Sequence, residues 1–133
     1  MLVGNFADVS FGELVPPGTF RDYLLATHFS GQYVDGYVYT APVGKFPRGK
    51  SPYGVLDMEG NVWEWCEDGY APDFYSRSPS VNPVNNDGSK GRIVRGSGYE
   101  EPATTPKPST FRMVFAANDS YTTIGFRCVV RAS

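Results

Sequence analysis

No stretch of this 133-residue chain approaches the roughly 18 consecutive apolar residues that a membrane-spanning helix needs, so insertion into a bilayer is not expected. Histidine occurs once, at His28, which excludes a histidine-cluster iron site. Cysteine occurs twice, at Cys66 and Cys128, too few for a disulfide framework, and the interval between Glu67 and Arg127 holds none. Charge of one sign is missing as well. Twelve Lys and Arg face 14 Asp and Glu, for a net charge of −2 and no basic stripe, so nucleic acid is not an expected partner. The start, Met1-Leu2-Val3-Gly4-Asn5, lacks a charged segment followed by an apolar one. The cytoplasm is therefore the default expectation, with display at a surface only through a partner.

What is abundant is punctuation and aromatic surface. Fifteen glycines and 11 prolines make up about a fifth of the chain, while nine Phe, nine Tyr and two Trp supply enough area for a core. The combination predicts one loop-rich domain over residues 1–133 with little regular structure. Thr19 to Phe29 is the best helix candidate. Thr19 can cap it, Phe20, Tyr23, Leu24 and Thr27 share a face, and Gly31 can stop it. Val43 to Tyr53 carries too much Pro and Gly for a long element, and residues 69–91 are polar and turn-rich. Asn61 to Cys66 alternates as a strand with Trp63 and Trp65 on one face, and Arg92 to Arg95 is a second short strand closed by Gly96. Ser97 to Ile124 has no period. Gly125 to Arg131 reads as the last strand, with Phe126, Cys128 and Val130 facing inward. Two readings of the cysteines stay open: a pair of buried free thiols, or one bond between the tryptophan strand and the last strand.

The stretch Pro52-Tyr53-Gly54-Val55-Leu56-Asp57-Met58-Glu59-Gly60-Asn61-Val62-Trp63-Glu64-Trp65-Cys66 is the most informative in the chain. With Gly125-Phe126-Arg127-Cys128, Asp35-Gly36-Tyr37-Val38-Tyr39-Thr40-Ala41-Pro42-Val43-Gly44 and Asn5-Phe6-Ala7-Asp8, it resembles the formylglycine-generating enzyme, or sulfatase-modifying factor, family. The resemblance implies an α+β, C-type-lectin-like fold in which a few short antiparallel strands hold long loops. It also implies structural calcium. One ion is expected at Asn5, the Phe6 carbonyl, Asp35 and the Tyr37 carbonyl. A second is expected at Asp57, the Gly60 and Val62 carbonyls and Glu64. Such a mixture of carboxylates and carbonyls is what calcium requires, and alternate groups along an extended segment point the same way. The family's enzymes oxidise a substrate cysteine with a cysteine pair suited to copper(I). In this chain the corresponding region reads Gly96-Ser97-Gly98-Tyr99-Glu100-Glu101-Pro102-Ala103-Thr104-Thr105-Pro106, so no copper site is expected.

Two functions follow. In the first, the chain is a non-catalytic binding domain like the variable proteins of diversity-generating retroelements, which share this fold and also close on Gly-Phe-Arg. Segment 97–124 would then display Tyr99, Glu100, Glu101, Thr104, Thr105, Phe115, Asn118, Asp119, Ser120 and Tyr121 to a macromolecular ligand, expected to be a protein. Tyr with Ser, Thr and Asn suits that task, because Tyr gives large contact area at low entropy cost. In the second, the chain is a formylglycine-generating oxidase or a fragment of one. Acid–base catalysis by the Glu64, Glu67 and Asp68 cluster ranks well below both, since Glu64 is better read as a ligand or buried acceptor.

Overall fold

The computed structural model describes residues 4–14, 16–18, 22, 34–103 and 107–130. The helix expected over Thr19–Phe29, and His28 with it, lies outside the described residues except for Asp22. The described elements are α1 (Val9–Gly12), a 3-10 turn (Pro47–Gly49), β1 (Trp63–Gly69), α2 (Phe74–Arg77), β2 (Arg92–Arg95), β3 (Met113–Phe115) and β4 (Ile124–Gly125). The strands form one mixed sheet in the order β3-β2-β1-β4.

β1 and β2 form the centre. They run antiparallel, with Glu64 opposite Arg95 and Trp65 opposite Val94, and a bulge falls before Gly69 meets Arg92. The bulge coincides with a close approach: a methyl group on Gly69 would overlap the Asp87 backbone carbonyl. β3 pairs antiparallel with β2 through Arg92–Phe115, Ile93–Val114 and Val94–Met113. Nothing periodic marks a three-residue strand inside segment 97–124, so pairing with β2 rather than local pattern decides it. β4 runs parallel to β1, through Trp63–Ile124 and Glu64–Gly125. That corrects the expectation of antiparallel strands throughout.

The last strand is also shorter than its alternation suggests. Gly125–Arg131 was expected to turn Phe126, Cys128 and Val130 inward, yet Phe126 is 75% exposed, Val130 97% exposed and Cys128 exposed. Strand pairing stops at Gly125. Period-2 apolar spacing needs a layer to pack against, and beyond Gly125 no described element covers these side chains. Cys66 is half-buried, and both cysteines are free, so the inter-strand bond does not form here.

The core is formed by Phe6, Ala7, Ala41, Phe46, Trp63, Ile93, Val94 and Tyr99, all buried; Ile93 and Val94 are successive residues of β2, so both faces of that strand are covered. Trp63 meets Phe111 at 6.1 Å between ring centroids, and Trp65 meets Phe115 edge-on at 6.3 Å. Trp63 is buried, but Trp65 is half-buried like Glu64 and Cys66 on either side of it, so the strand forms without the clean alternation of burial expected of it. Much of this core is enclosed by loops rather than strands, which leaves many backbone groups to be satisfied by side chains.

Candidate functional site

The four motifs of the sequence converge on two neighbouring polar centres. The first is built on Asn5, Asp8, Asp35 and Asn61, all buried. Asn61 Oδ1 accepts from the Ala41 N–H at 2.8 Å and from Asn5 Nδ2 at 3.2 Å, and Asn61 Nδ2 donates back to the Ala41 carbonyl. Asn61 adopts φ +70°, a conformation that Asn tolerates better than most residues. Beside it, Gly60 at φ +85° lets the chain pass the Asn5 carbonyl, which a Cβ would approach to 2.6 Å. Asp35 accepts from the Phe6 N–H at Oδ2 and the Tyr37 N–H at Oδ1, both at 2.9 Å, while Asp8 accepts from the Asp35 N–H at 3.0 Å. Burial raises the Asp35 carboxyl above the usual carboxylate range; the Phe6 and Tyr37 N–H groups oppose that, and the nearby Asp8 charge adds to it.

Asn5 Oδ1 is the unexplained atom of this centre. It is buried without a hydrogen-bond partner, although Asn5 Nδ2 donates to the Tyr39 carbonyl at 2.6 Å. An orphaned amide oxygen beside a buried carboxylate of raised proton affinity fits a hard cation, which would satisfy the oxygen and favour the charged carboxylate.

The second centre joins the tryptophan strand to Gly-Phe-Arg. Arg127 forks onto Glu64, with Nε to Oε2 at 2.6 Å and Nη2 to Oε1 at 2.5 Å, and its remaining donors reach the Leu56 and Asp57 carbonyls at 2.9 and 2.7 Å. The pair is about a quarter exposed on average, and the Glu64 carboxylate raises the Arg127 pKa. Asp57 sits at φ +55° and accepts the Gly44 N–H at 2.6 Å. A cavity of about 480 Å³ opens here, lined by Asp57, Gly60, Val62, Glu64, Phe126 and Arg127 among others. The expected second calcium set thus lines one cavity, but an ion there has to share Glu64 with Arg127. The sequence reading gave Glu64 a metal or acceptor role and did not foresee Arg127 as its partner; the signal was present, since Gly-Phe-Arg is one of the four motifs.

The candidate binding segment divides in two. Tyr99 is buried against Tyr39 with rings edge-on at 5.8 Å, and its N–H donates to the Asn61 carbonyl. Glu100 turns inward, accepting from Trp63 Nε1 at 3.1 Å, and its other oxygen is buried without a partner. Burial raises the Glu100 carboxyl above the usual range, partly offset by a backbone N–H and the Trp63 N–H, while Glu101 pushes the same way as burial. Glu101 is half-buried near Lys107 at 3.9 Å, and its carbonyl accepts the Ala7 N–H. Thr104 and Thr105 lie outside the described residues. Phe115 is half-buried against Tyr121 at 5.1 Å, whereas Asn118, Ser120 and Tyr121 are exposed and Asp119 caps the turn through the Ala116 N–H. So 99–101 anchors the segment to the core, and 118–121 forms the outward part.

Cys66 lines a smaller cavity of about 310 Å³ with Met58, Glu64, Trp65, Arg95 and Arg127. Burial pushes its thiol pKa up, with Arg95 pulling it down less, so the thiol stays protonated at neutral pH. Asp68, part of the acidic cluster, accepts the Asn85 N–H and is thereby occupied in holding a loop.

Over residues 13–132 the chain matches the sulfatase-modifying factor enzyme 1-like domain. It is 37% identical over 90 residues to the formylglycine-generating enzyme of Streptomyces coelicolor, covering 65% of this chain and 28% of that protein. A 67-residue match at 51% identity joins it to the serine/threonine-protein kinase Pkn1 of Chlamydia trachomatis, covering 50% of this chain and 9% of the kinase. Among solved structures, PvdO from Pseudomonas aeruginosa is similar with a TM-score of 0.59 and 34% identity, over 69% of this chain and 34% of that one. The chain therefore spans about a third or less of the length of these relatives.

Proposed function

Because this chain belongs to the sulfatase-modifying factor enzyme 1-like domain family, we propose that it works within a protein of formylglycine-generating-enzyme type, built on a C-type-lectin-like scaffold. The names of the relatives support this reading over the display of a variable surface. The observation that carries it is the Glu64–Arg127 fork, which locks the tryptophan strand onto Gly-Phe-Arg and closes one wall of the cavity between them. The chain's part is to hold these motif segments in register. Calcium is the ion we assign to Asn5 and Asp35, as a support for the loops around Phe6 and Tyr37 rather than as a participant in chemistry.

Oxidation of a substrate cysteine would require thiols, and this chain offers Cys66 and Cys128 alone. The deciding experiment incubates the full chain with copper, oxygen and a cysteine-containing peptide and follows aldehyde formation by mass spectrometry. Conversion that is lost in Cys66→Ser or Cys128→Ser supports the oxidase; copper uptake by spectroscopy gives a readout independent of turnover. Absence of both conversion and copper uptake rejects thiol oxidation by Cys66 and Cys128 of this chain.

One observation favours the second reading, a non-catalytic binding domain. No cysteine lies between Glu67 and Arg127, where the family pair would fall, and the outward turn at 118–121 offers Asn118, Ser120 and Tyr121 to a macromolecular ligand. The similarity to a protein named as a kinase is consistent with it, because one scaffold segment then serves chains with different activities. A ligand whose binding is lost on Tyr121→Ala and unaffected by copper would decide for this reading.

A further inference from the structure

Away from the residues of the two polar centres, Arg112 is a described cation with an unusual setting. Its guanidinium lies over two aromatic rings, Tyr75 at 4.6 Å and Tyr70 at 5.9 Å from the ring centroids. No carboxylate and no hydrogen-bond acceptor reaches it among the described residues. The two rings hold the guanidinium by cation–π attraction and leave its N–H groups unspent. Arg95 stands beside it. Its Nη1 is held by the Ser109 and Phe111 carbonyls, and its Nη2 donates to the Tyr75 hydroxyl at 2.8 Å. Since that hydroxyl oxygen is the acceptor, its own proton is left to donate outward. Arg95, Arg112 and Tyr75 line one cavity of about 120 Å³ with Phe74, Pro83 and Asp68. The other nearby cation, Arg77, is paired with Asp73 at 3.1 Å. Asp68 is the opposing charge in the cavity, tied by the Asn85 N–H and outside ion-pair range of either arginine.

We propose that this cavity binds an oxyanion, a phosphate or carboxylate group of a small ligand, with the Arg112 fork and the Tyr75 hydroxyl as its donors and Arg95 as the second positive charge. The volume suits one such group and little more. A planar guanidinium held by aromatic rings loses little freedom on binding and matches the paired oxygens of either group. The site lies on different residues from the Glu64–Arg127 cavity, so it stands or falls separately from the oxidase reading.

The test titrates the full chain at low ionic strength with inorganic phosphate and, in parallel, with acetate, following backbone amide signals around Tyr70, Tyr75, Ile93–Arg95 and Arg112. A saturable shift with either anion is expected: phosphate alone assigns a phosphate group, acetate alone a carboxylate. Arg112→Ala should weaken binding about tenfold or more, and Arg112→Lys should recover only part of it, because an ammonium keeps the charge but not the planar fork. Asp68→Asn should tighten binding a few-fold. Should Arg112→Ala not fold, Tyr75→Phe serves instead, since it keeps the ring under Arg112 and removes only the hydroxyl of a residue that is 64% exposed; a several-fold loss is expected there. Linear, non-saturating shifts with both anions, or an Arg112→Ala or Tyr75→Phe variant that binds like the wild type, overturn the assignment.

Discussion

The Asn5–Asp35–Asn61 centre and the Gly125–Val130 segment both come from motif residues, yet they end in opposite conditions. In the first, four polar side chains are buried and each satisfies backbone groups of loops far away in sequence. In the second, two residues of ladder and one arginine tie the chain down, and apolar side chains on either side of Arg127 stay in water. The difference teaches where cohesion comes from in a loop-rich fold. Side-chain amides and carboxylates replace the missing ladder hydrogen bonds, and apolar alternation counts for little where no second layer exists.

The sharpest way to break the first region is Asn61→Ala. It orphans the buried Ala41 N–H and carbonyl and removes the residue that tolerates φ +70°. A loss of about 3 kcal/mol is expected in chemical denaturation; a loss below 1 kcal/mol would show that the network is not what holds these loops.

Calcium tests the same centre from outside. At a hundredfold excess over its dissociation constant, calcium should stabilise the wild type by about 2.7 kcal/mol, and exhaustive dialysis against chelator should remove that. Asp35→Asn should respond little to either treatment. Asp57→Asn combined with Glu64→Gln separates the two candidate ion sites: a retained calcium response places the ion at Asn5 and Asp35, and a lost one places it at the Glu64 cavity. Identical melting of dialysed wild type with and without calcium removes both assignments.

In the second region, Arg127→Met leaves Glu64 without its fork and two carbonyls without donors. About 2 kcal/mol should be lost, less than for a fully buried pair because both side chains are partly exposed. Arg127→Lys should restore under half of it, as an ammonium cannot serve Glu64 and both carbonyls from one plane. Equal stability of the Lys variant and wild type would reduce the tie to simple charge pairing.

A smaller effect is expected with pH. The folded-state pKa of Glu100 is raised above its unfolded value, so the folded chain holds that proton more tightly. Its contribution is therefore most favourable below the ordinary carboxylate range and is lost as pH rises through the raised folded value. Glu100→Gln should flatten this part of the stability–pH curve and leave the part due to Asp35, which has the same sign. An unchanged slope would mean that the carboxylate finds a donor in solution. Smallest of all, Phe126→Ser should change stability by less than about 0.5 kcal/mol, since the ring is 75% exposed. A large loss would mean that something covers Phe126 in solution, and the contrast between the two regions would narrow.

By itself the sequence determined the family, the loop-rich character, the tryptophan strand and the Arg92–Arg95 strand. Those depend on local signals: Gly and Pro spacing, alternation over four to six residues, and four motifs in order. Tertiary structure alone decided what lies between them. Met113–Phe115 is a strand because β2 offers it a partner, and β4 is brief because its parallel ladder with β1 is limited to Ile124 and Gly125. Glu64 is tied to Arg127 across 63 positions, and Tyr99 and Glu100, which resemble display residues in composition, turn inward to Tyr39 and Trp63. Composition reports what a side chain can do. Which polar groups end up buried together depends on loop closures that bring distant residues into contact, and no local spacing encodes them.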